Sequence, residues 1–294
     1  MKLVIKEDIL YTGGCLLCKV YPDEGTIDSR YLRDMDTEVL MAEGEISLEV
    51  PEGVEAIGPE AFSECPKLEE ITLPRTLRAM ESTALRSLRT VRVQASNPTY
   101  YMEGGFLMER REEGDRLLWV PEEQEVVKLP DCVYSIASGV FQYNFNLRAI
   151  YLPKFLTEVG PRQFRSCRKL QRVFLPPYLR VVAKDAFVNC DSLKVLVMEN
   201  SLTFLTHDMK GEQAEGDAFE GVYDFHVFCE QNLWMTHYLD RHRCIQHYLH
   251  EAETIRELDN GPAEDREERI RRYLECLSQR KKLVENWIKT WEEK

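Results

Sequence analysis

The chain has 294 residues, 44% of them hydrophobic and 30% charged, which excludes wholesale disorder and leaves enough length to bury a substantial core. A formal net charge of −13 excludes general binding of nucleic acid or anionic membrane by the whole surface, and no run approaches the roughly 20 apolar residues of a membrane-spanning helix.

Residues 1–45 read as an N-terminal cap of short strands and turns, with apolar runs at Leu3-Val4-Ile5 and Leu16-Leu17-Cys18-Lys19-Val20. The charged opening Lys2 to Asp8 lacks the apolar stretch of a signal peptide. If Met1 is the native start, the expectation is a cytoplasmic protein; a trimmed start leaves cell-surface display or secretion open. Nine cysteines, an odd number spread along the chain, read as reduced thiols rather than a disulfide framework. Cys15 and Cys18 have redox or zinc spacing without a second such pair, so two packed thiols are the plainer reading. Asp34, Asp36, Glu38 and Glu45 imitate a calcium loop, but Val39 stands where its sharp turn demands glycine.

From residue 46 an internal repeat begins. Val50-Pro51, Val54, Ile57, Ala61-Phe62, Cys65, Leu68, Ile71 and Leu73-Pro74 form a first copy, and Leu77, Met80, Ala84-Leu85, Leu88, Val91 and Val93 a shortened second. Residues 94–126 interrupt the pattern. It resumes with Pro130, Pro153 and Pro176 spaced by 23, each preceded by Leu129, Leu152 or Leu175. Val133, Leu156 and Leu179 follow, then Ile136, Val159 and Val182, then Phe141, Phe164 and Phe187. Asn144, Cys167 and Cys190 share the next position, before Leu147, Leu170 and Leu193. A period in the twenties with so many fixed apolar positions means that each copy is one coil that buries its core only by stacking. The Leu-x-x-Ile-x-Leu-Pro segment alternates as a short strand that proline terminates, and stacked coils set these strands into a parallel sheet about 4.8 Å apart. The cysteines at a shared repeat position read as small core hydrophobes.

This succession of strand, proline, Val-x-x-Ile-Gly, Ala-Phe, Cys and Leu resembles the BspA-like leucine-rich repeats of bacterial surface proteins. Asn97-Pro98-Thr99-Tyr100, Gly104-Gly105-Phe106-Leu107 and Leu117-Leu118-Trp119-Val120-Pro121 are similar to the β-hairpin insertion of such solenoids. Ala137 and Ala183 depart from the glycine that the pattern favours. The resemblance implies an α/β repeat fold, a leucine-rich-repeat solenoid with a parallel β-sheet on its concave face and a role in adhesion or recognition.

The solenoid is expected to run from 46 to 250, closing in a cap near 222–250. Phe225-His226-Val227-Phe228 is strand-like there, and Leu233, Met235, Tyr238 and Leu239 read as a short helix. All six histidines fall between 207 and 250, and His247-x-x-His250 could share a helix face and hold a metal; surface histidines on an ordinary cap are the plainer reading. Residues 251–294 read as a helical tail, with Gly261-Pro262 and the acids behind it as a helix start. Ile270, Leu274, Leu277, Val284, Ile288 and Trp291, interrupted by Lys281, follow heptad spacing. That stripe fits either a helix docked on the solenoid or a self-associating coil.

No phosphate-binding loop, dinucleotide fingerprint, H-E-x-x-H or G-x-S-x-G occurs, so neither an enzyme nor a cofactor is expected. The positive feature is a row of outward residues, Thr72, Arg92, Tyr151, Phe174 and Val197, aromatic or apolar in three consecutive coils and accompanied by Arg148, Arg172 and Lys194. Exposed aromatics rimmed by arginine are typical of interfaces. Residues 142–184 hold nine Lys/Arg against the single acid Glu158, whereas residues 21–70 hold fifteen acids against Arg30, Arg33 and Lys67. The leading expectation is therefore a non-catalytic scaffold that binds an acidic partner on its concave face, unless the tail covers the stripe. The alternatives are a structural protein that self-assembles through its tail and charge-polarised ends, and, least favoured, a metal-dependent enzyme.

Overall fold

In the computed structural model, the residues described are 46–50, 52–58, 61–62, 68–86, 88–200, 217–230 and 242–292, with the short strands at 2–6, 9–12, 18–19, 26–27 and 204–205. The calcium-like segment at 34–45, Cys15, Cys65, His207, His237 and the expected helix around Leu233–Leu239 lie outside them, as do the side chains of Val284, Ile288 and Trp291.

The N-terminal cap joins β1 (Lys2–Lys6), β2 (Ile9–Thr12) and β3 (Cys18–Lys19) in antiparallel order, and β4 (Thr26–Ile27) belongs to a second sheet. The first coils then add β5 (Ile46–Glu49), β6 (Ala56–Ile57), β7 (Leu68–Leu73), β8 (Ala79–Met80) and β9 (Thr90–Val93). All pairings made by these coil strands are parallel: β1-β5-β7-β9 line one side of each coil and β4-β6-β8 the other.

Next comes the insertion, a meander of three strands, β10 (Tyr100–Glu103), β11 (Phe106–Glu109) and β12 (Asp115–Trp119). Gly104 and Gly105, at φ +59° and +87°, make the two-residue turn that a tight hairpin demands. The third strand adds something the hairpin expectation lacked, for β12 pairs in parallel with the following coil. The meander thus continues the stack instead of hanging from it. Trp119 Nε1 donates to the Leu88 carbonyl at 3.1 Å, tying it to the shortened coil before it.

The later coils carry β13 (Val126–Lys128), β14 (Val133–Ile136), β15 (Ala149–Tyr151), β16 (Glu158–Val159), β17 (Arg172–Leu175), β18 (Val181–Val182), β19 (Val195–Met198), β20 (Phe204–Leu205), β21 (His226–Phe228) and β22 (Ile245–His247). A second concave sheet runs β13-β15-β17-β19-β21-β22, entirely parallel. Phe204-Leu205 pairs with Val181-Val182, and Phe219 stacks on Phe187 at 4.8 Å. These contacts define a further coil whose phenylalanine lies 32 rather than 23 residues after its predecessor, which is why periodicity alone passes over it.

Between the two sides of each coil runs a dry core. Phe141, Phe164, Phe187 and Phe219 form a fully buried ladder with centroids 4.9, 4.9 and 4.8 Å apart. The position after it serves the backbone. Asn144 Oδ1 accepts from the amides of Asn146 and Leu147, while the Cys167 and Cys190 thiols donate to the carbonyls of Phe141 and Phe164. Burial pushes the Cys167 thiol up to about 12 and raises that of Cys190, so both are packing groups and not nucleophiles. Tyr143, Ser166 and Asn189, also 23 apart, take left-handed backbone angles near +60° at the corner where each coil turns. Gly160 does not, so Ala137 and Ala183 occupy its place in other coils without strain.

The tail consists of a 3-10 turn at Leu249–Glu251, helix α1 (Ala252–Asn260) and helix α2 (Arg266–Glu292). Two features differ from expectation. The second helix starts at Arg266, four residues after Pro262, because Asp265 turns left-handed at φ +59°. The helical tail expected over 251–294 is also divided in two, and Ala252, Ile255 and Asp259 share the buried face of its first helix at helical spacing.

Candidate functional site: the concave sheet and the tail across it

In the second concave sheet side chains alternate between core and groove, as in any strand. Ile150, Val173, Leu196 and Val227 point into the core, and Lys128, Tyr151, Phe174, Val197, Phe228 and His247 form one aligned outward row. A second outward row holds Ala149, Arg172, Val195, His226 and Ile245. Tyr151 and Phe174 stack with centroids 3.9 Å apart. The sequence-derived stripe is therefore one contiguous surface, longer at both ends than residue types alone indicated.

That surface is not open. Phe174, Val197 and Arg172 keep 4%, 0% and 1% of their accessible area, against the expected exposure. The reason is the tail: Ala252, Ile255, Ile270, Leu274 and Leu277 bury themselves against Phe174, Val195, Val197 and Phe228 in one cluster. Each of these isoleucine and leucine side chains removed from water contributes about 1.5–3 kcal/mol, so water is a poor competitor for this face.

The polar contacts are as specific. Arg172 Nη2 lies 2.8 Å from Asp259 Oδ1, and its Nη1 donates to both Glu267 oxygens at 2.9 and 2.8 Å. The Tyr151 hydroxyl donates to Asp259 Oδ2 at 2.7 Å, and burial followed by the Asp259 charge raises its pKa. Lys128 caps the Tyr151 ring at 4.8 Å and reaches Asn260. A buried ion pair of this kind adds little net stability over apolar replacements, but deleting one partner strands the other in low dielectric. Acids thus meet the basic stripe, and the same chain supplies them.

Arg148 and Lys194 stand elsewhere. Each precedes its strand by one residue, in register with Gln171 rather than with Arg172. Arg148 pairs with Glu125 at 3.3 Å; Lys194 is exposed. Arg92 is exposed on the first sheet and pairs with Glu70 at 3.1 Å.

At the far end of the sheet, His226 Nδ1 and His247 Nε2 share a hydrogen bond of 2.8 Å. Burial holds both down to about 4, reinforced for His226 by His247, Lys194 and Lys281 and for His247 by Lys281 and Arg280. Lys281, the break in the heptad stripe, crosses to the Gln246 carbonyl at 3.5 Å. Glu251 joins the group, accepting from Arg280 at 2.5 Å and from the Tyr248 amide at 3.2 Å. His247 lies on β22 and His250 in the 3-10 turn, so they do not share a helix face. Among the described residues no three His, Cys, Asp or Glu side chains gather as a metal site. His242 is buried between the Val222 carbonyl oxygen and the Asp217 carboxylate at 2.8 and 2.7 Å.

Residues 43–106 and 122–209 match the family described as BspA type leucine rich repeat region, in six copies. No curated protein matches the chain. Solved structures that it is similar to include a leucine-rich repeat protein from Eubacterium ventriosum (20% identity, TM-score 0.45, covering 54% of this chain and 43% of that one). A leucine rich cell surface protein from Faecalibacterium prausnitzii is 21% identical, with TM-score 0.38 and coverage of 53% and 54%. The pneumococcal vaccine antigen PcpA is 18% identical, with TM-score 0.42 and coverage of 74% and 68%. The chain thus spans about half the length of the first two.

Proposed function

Since the chain belongs to the BspA-type leucine-rich-repeat family, we propose that it is a non-catalytic scaffold whose concave face takes an acidic, amphipathic protein segment, and that its own tail occupies that face when no partner does. The face comprises Tyr151, Arg172, Phe174 and Val197; Arg148 and Lys194 flank it at the starts of their strands, and Arg92 stands apart on the first sheet. One observation carries the reading: Asp259 sits on both Tyr151 and Arg172 while aliphatic residues of the same two helices cover Phe174 and Val197. Acid and apolar stripe together are the chemistry of a helix-in-groove ligand.

The test compares partners captured by three proteins: wild type, an Ile270→Asp/Leu274→Asp form that releases the tail, and that form with Tyr151→Ala/Phe174→Ala added. A partner gained on release and lost with the added alanines supports the reading. Identical lists for all three sink it.

Self-association is the second reading, favoured by the length of α2. Beyond Lys281 the helix continues for eleven residues to Glu292, about 16 Å at 1.5 Å per residue, carrying the sequence positions Val284, Ile288 and Trp291. Sedimentation of the full chain beside one ending at Lys281 decides it, and two monomers end it.

Unbridged thiols at Cys132, Cys167, Cys190, Cys229 and Cys276 support action in a reducing compartment. Among the described residues no helix is long and apolar enough to cross a membrane. Fractionation of cells separates an intracellular site from display at the surface.

A further inference from the structure

We propose that the cleft between α2 and the edge of the second concave sheet is a binding site for a small organic anion with an apolar body. The cleft has a volume of about 590 Å³, within the range of small-molecule sites. Its floor is apolar, made by Val195 of the sheet and Ile270 and Leu274 of the helix.

Its charges do not cancel. Every acid that lines it has a basic partner: Glu267 has Arg172 at 2.8 Å, which it shares with Asp259, Glu275 has Arg271, and Asp224 has Arg243 at 2.7 Å. Arg172 and Arg271 are consumed in those same pairs. What is left is Lys194, just before β19, and Lys282, on α2, both exposed and in no ion pair among the described residues. Two elements thus bring two like charges to one concave site, where low-dielectric walls focus the field on an arriving anion. His226 lines the same cleft; its Nδ1 is taken by His247, its Nε2 makes no hydrogen bond among the described residues, and the nearby lysines help to keep it neutral. The site therefore offers two cations, one neutral polar atom and an apolar floor: a carboxylate, phosphate or sulfonate head with a hydrocarbon body matches all three.

This site adjoins the proposed face for a protein partner and shares Arg172 and Lys194 with it, but Tyr151, Phe174 and Val197 do not line it. It has a consequence for the tail even so. A ligand gripped by Lys194 and Lys282 touches sheet and helix at once, and at 100 times its Kd would shift the docked-to-released equilibrium about 100-fold toward docking.

The experiment is a fluorescence titration of the full chain with 8-anilinonaphthalene-1-sulfonate, beside N-phenyl-1-naphthylamine, which keeps the rings and lacks the charge. One saturable site for the sulfonate is expected, with the neutral probe at least tenfold weaker. Lys194→Ala/Lys282→Ala should raise the Kd for the sulfonate tenfold or more, and Lys194→Met/Lys282→Met, which keeps most of each stem, should do the same. Lys154→Ala/Arg180→Ala, which removes two exposed cations elsewhere, should leave it unchanged. Unchanged affinity in both double lysine variants, equal binding of the two probes, or no saturable site would each overturn the proposal.

Discussion

The two concave sheets are built from one repeat, yet one is open and the other covered. On the first sheet the outward residues are Thr72 and Arg92, with Glu70 beside them and the Arg92–Glu70 pair in solvent. On the second they are Tyr151, Phe174, Val197 and Phe228, and two helices lie across them. Hydrogen bonding is the same on both, since the ladder does not depend on what the outward residue is. The difference is transfer free energy: a polar row is content in water, whereas an aromatic row gains by finding a cover. A repeat protein can therefore decide, one residue per coil, which part of its groove is free.

The largest effect should come from breaking the seam at its charge. Arg172→Ala should cost the tail-docked state about 3–5 kcal/mol, because Asp259 is left buried without its counter-ion. Arg172→Met/Asp259→Leu should recover most of that loss. Urea unfolding with amide exchange in α1 reads both, and a double variant as unstable as the single one would contradict this account of the seam.

Acid should open the same seam. His226 and His247 are held down to about 4 against 6.5 when unfolded, so the unfolded chain takes up protons first as pH falls. Their contribution is undiminished above about pH 6.5, is lost between 6.5 and 4, and is flat below that. For one shared proton step the loss is on the order of 3 kcal/mol. Other carboxylates titrate nearby, so the measurement is a difference: wild type against His226→Gln/His247→Phe, with a smaller loss from pH 7 to 4.5 expected in the variant.

A smaller change should come from relieving the coil corner. Tyr143 holds a left-handed backbone angle of +63° that asparagine tolerates better, and Tyr143→Asn should gain up to about 1 kcal/mol. A fall in the thermal midpoint would show that the contact of its ring with Phe145 matters more. The smallest effect belongs to the open sheet. Arg92→Ala should move stability by no more than about 0.5 kcal/mol, and a loss comparable to that of Arg172→Ala would erase the contrast between the two sheets.

Much of this was legible in residue spacing. Pro130, Pro153 and Pro176 announce the coil, and Phe141, Phe164 and Phe187 land in a single ladder as their common position requires. The outward row was legible too, because a strand has only two faces and the core residues occupy one. The coil that carries Phe219 was hidden by the extra residues before it. That the helical tail begins with a separate helix α1 was hidden by the brevity of that helix and by Asp259, a charged residue on a buried face, which pattern reading assigns to solvent.

What the sequence determined by itself is the repeat, the parallel stacking it compels and the chemistry that each coil points into the groove, all of which follow from local periodicity and the need to bury apolar faces. Only the tertiary structure decided what meets that chemistry. Arg172 finds Asp259 across 87 residues and Tyr151 finds it across 108, and no period links a strand in the stack to a helix after its end. Complementarity between distant surfaces depends on where the chain returns, and that is a property of the assembled fold.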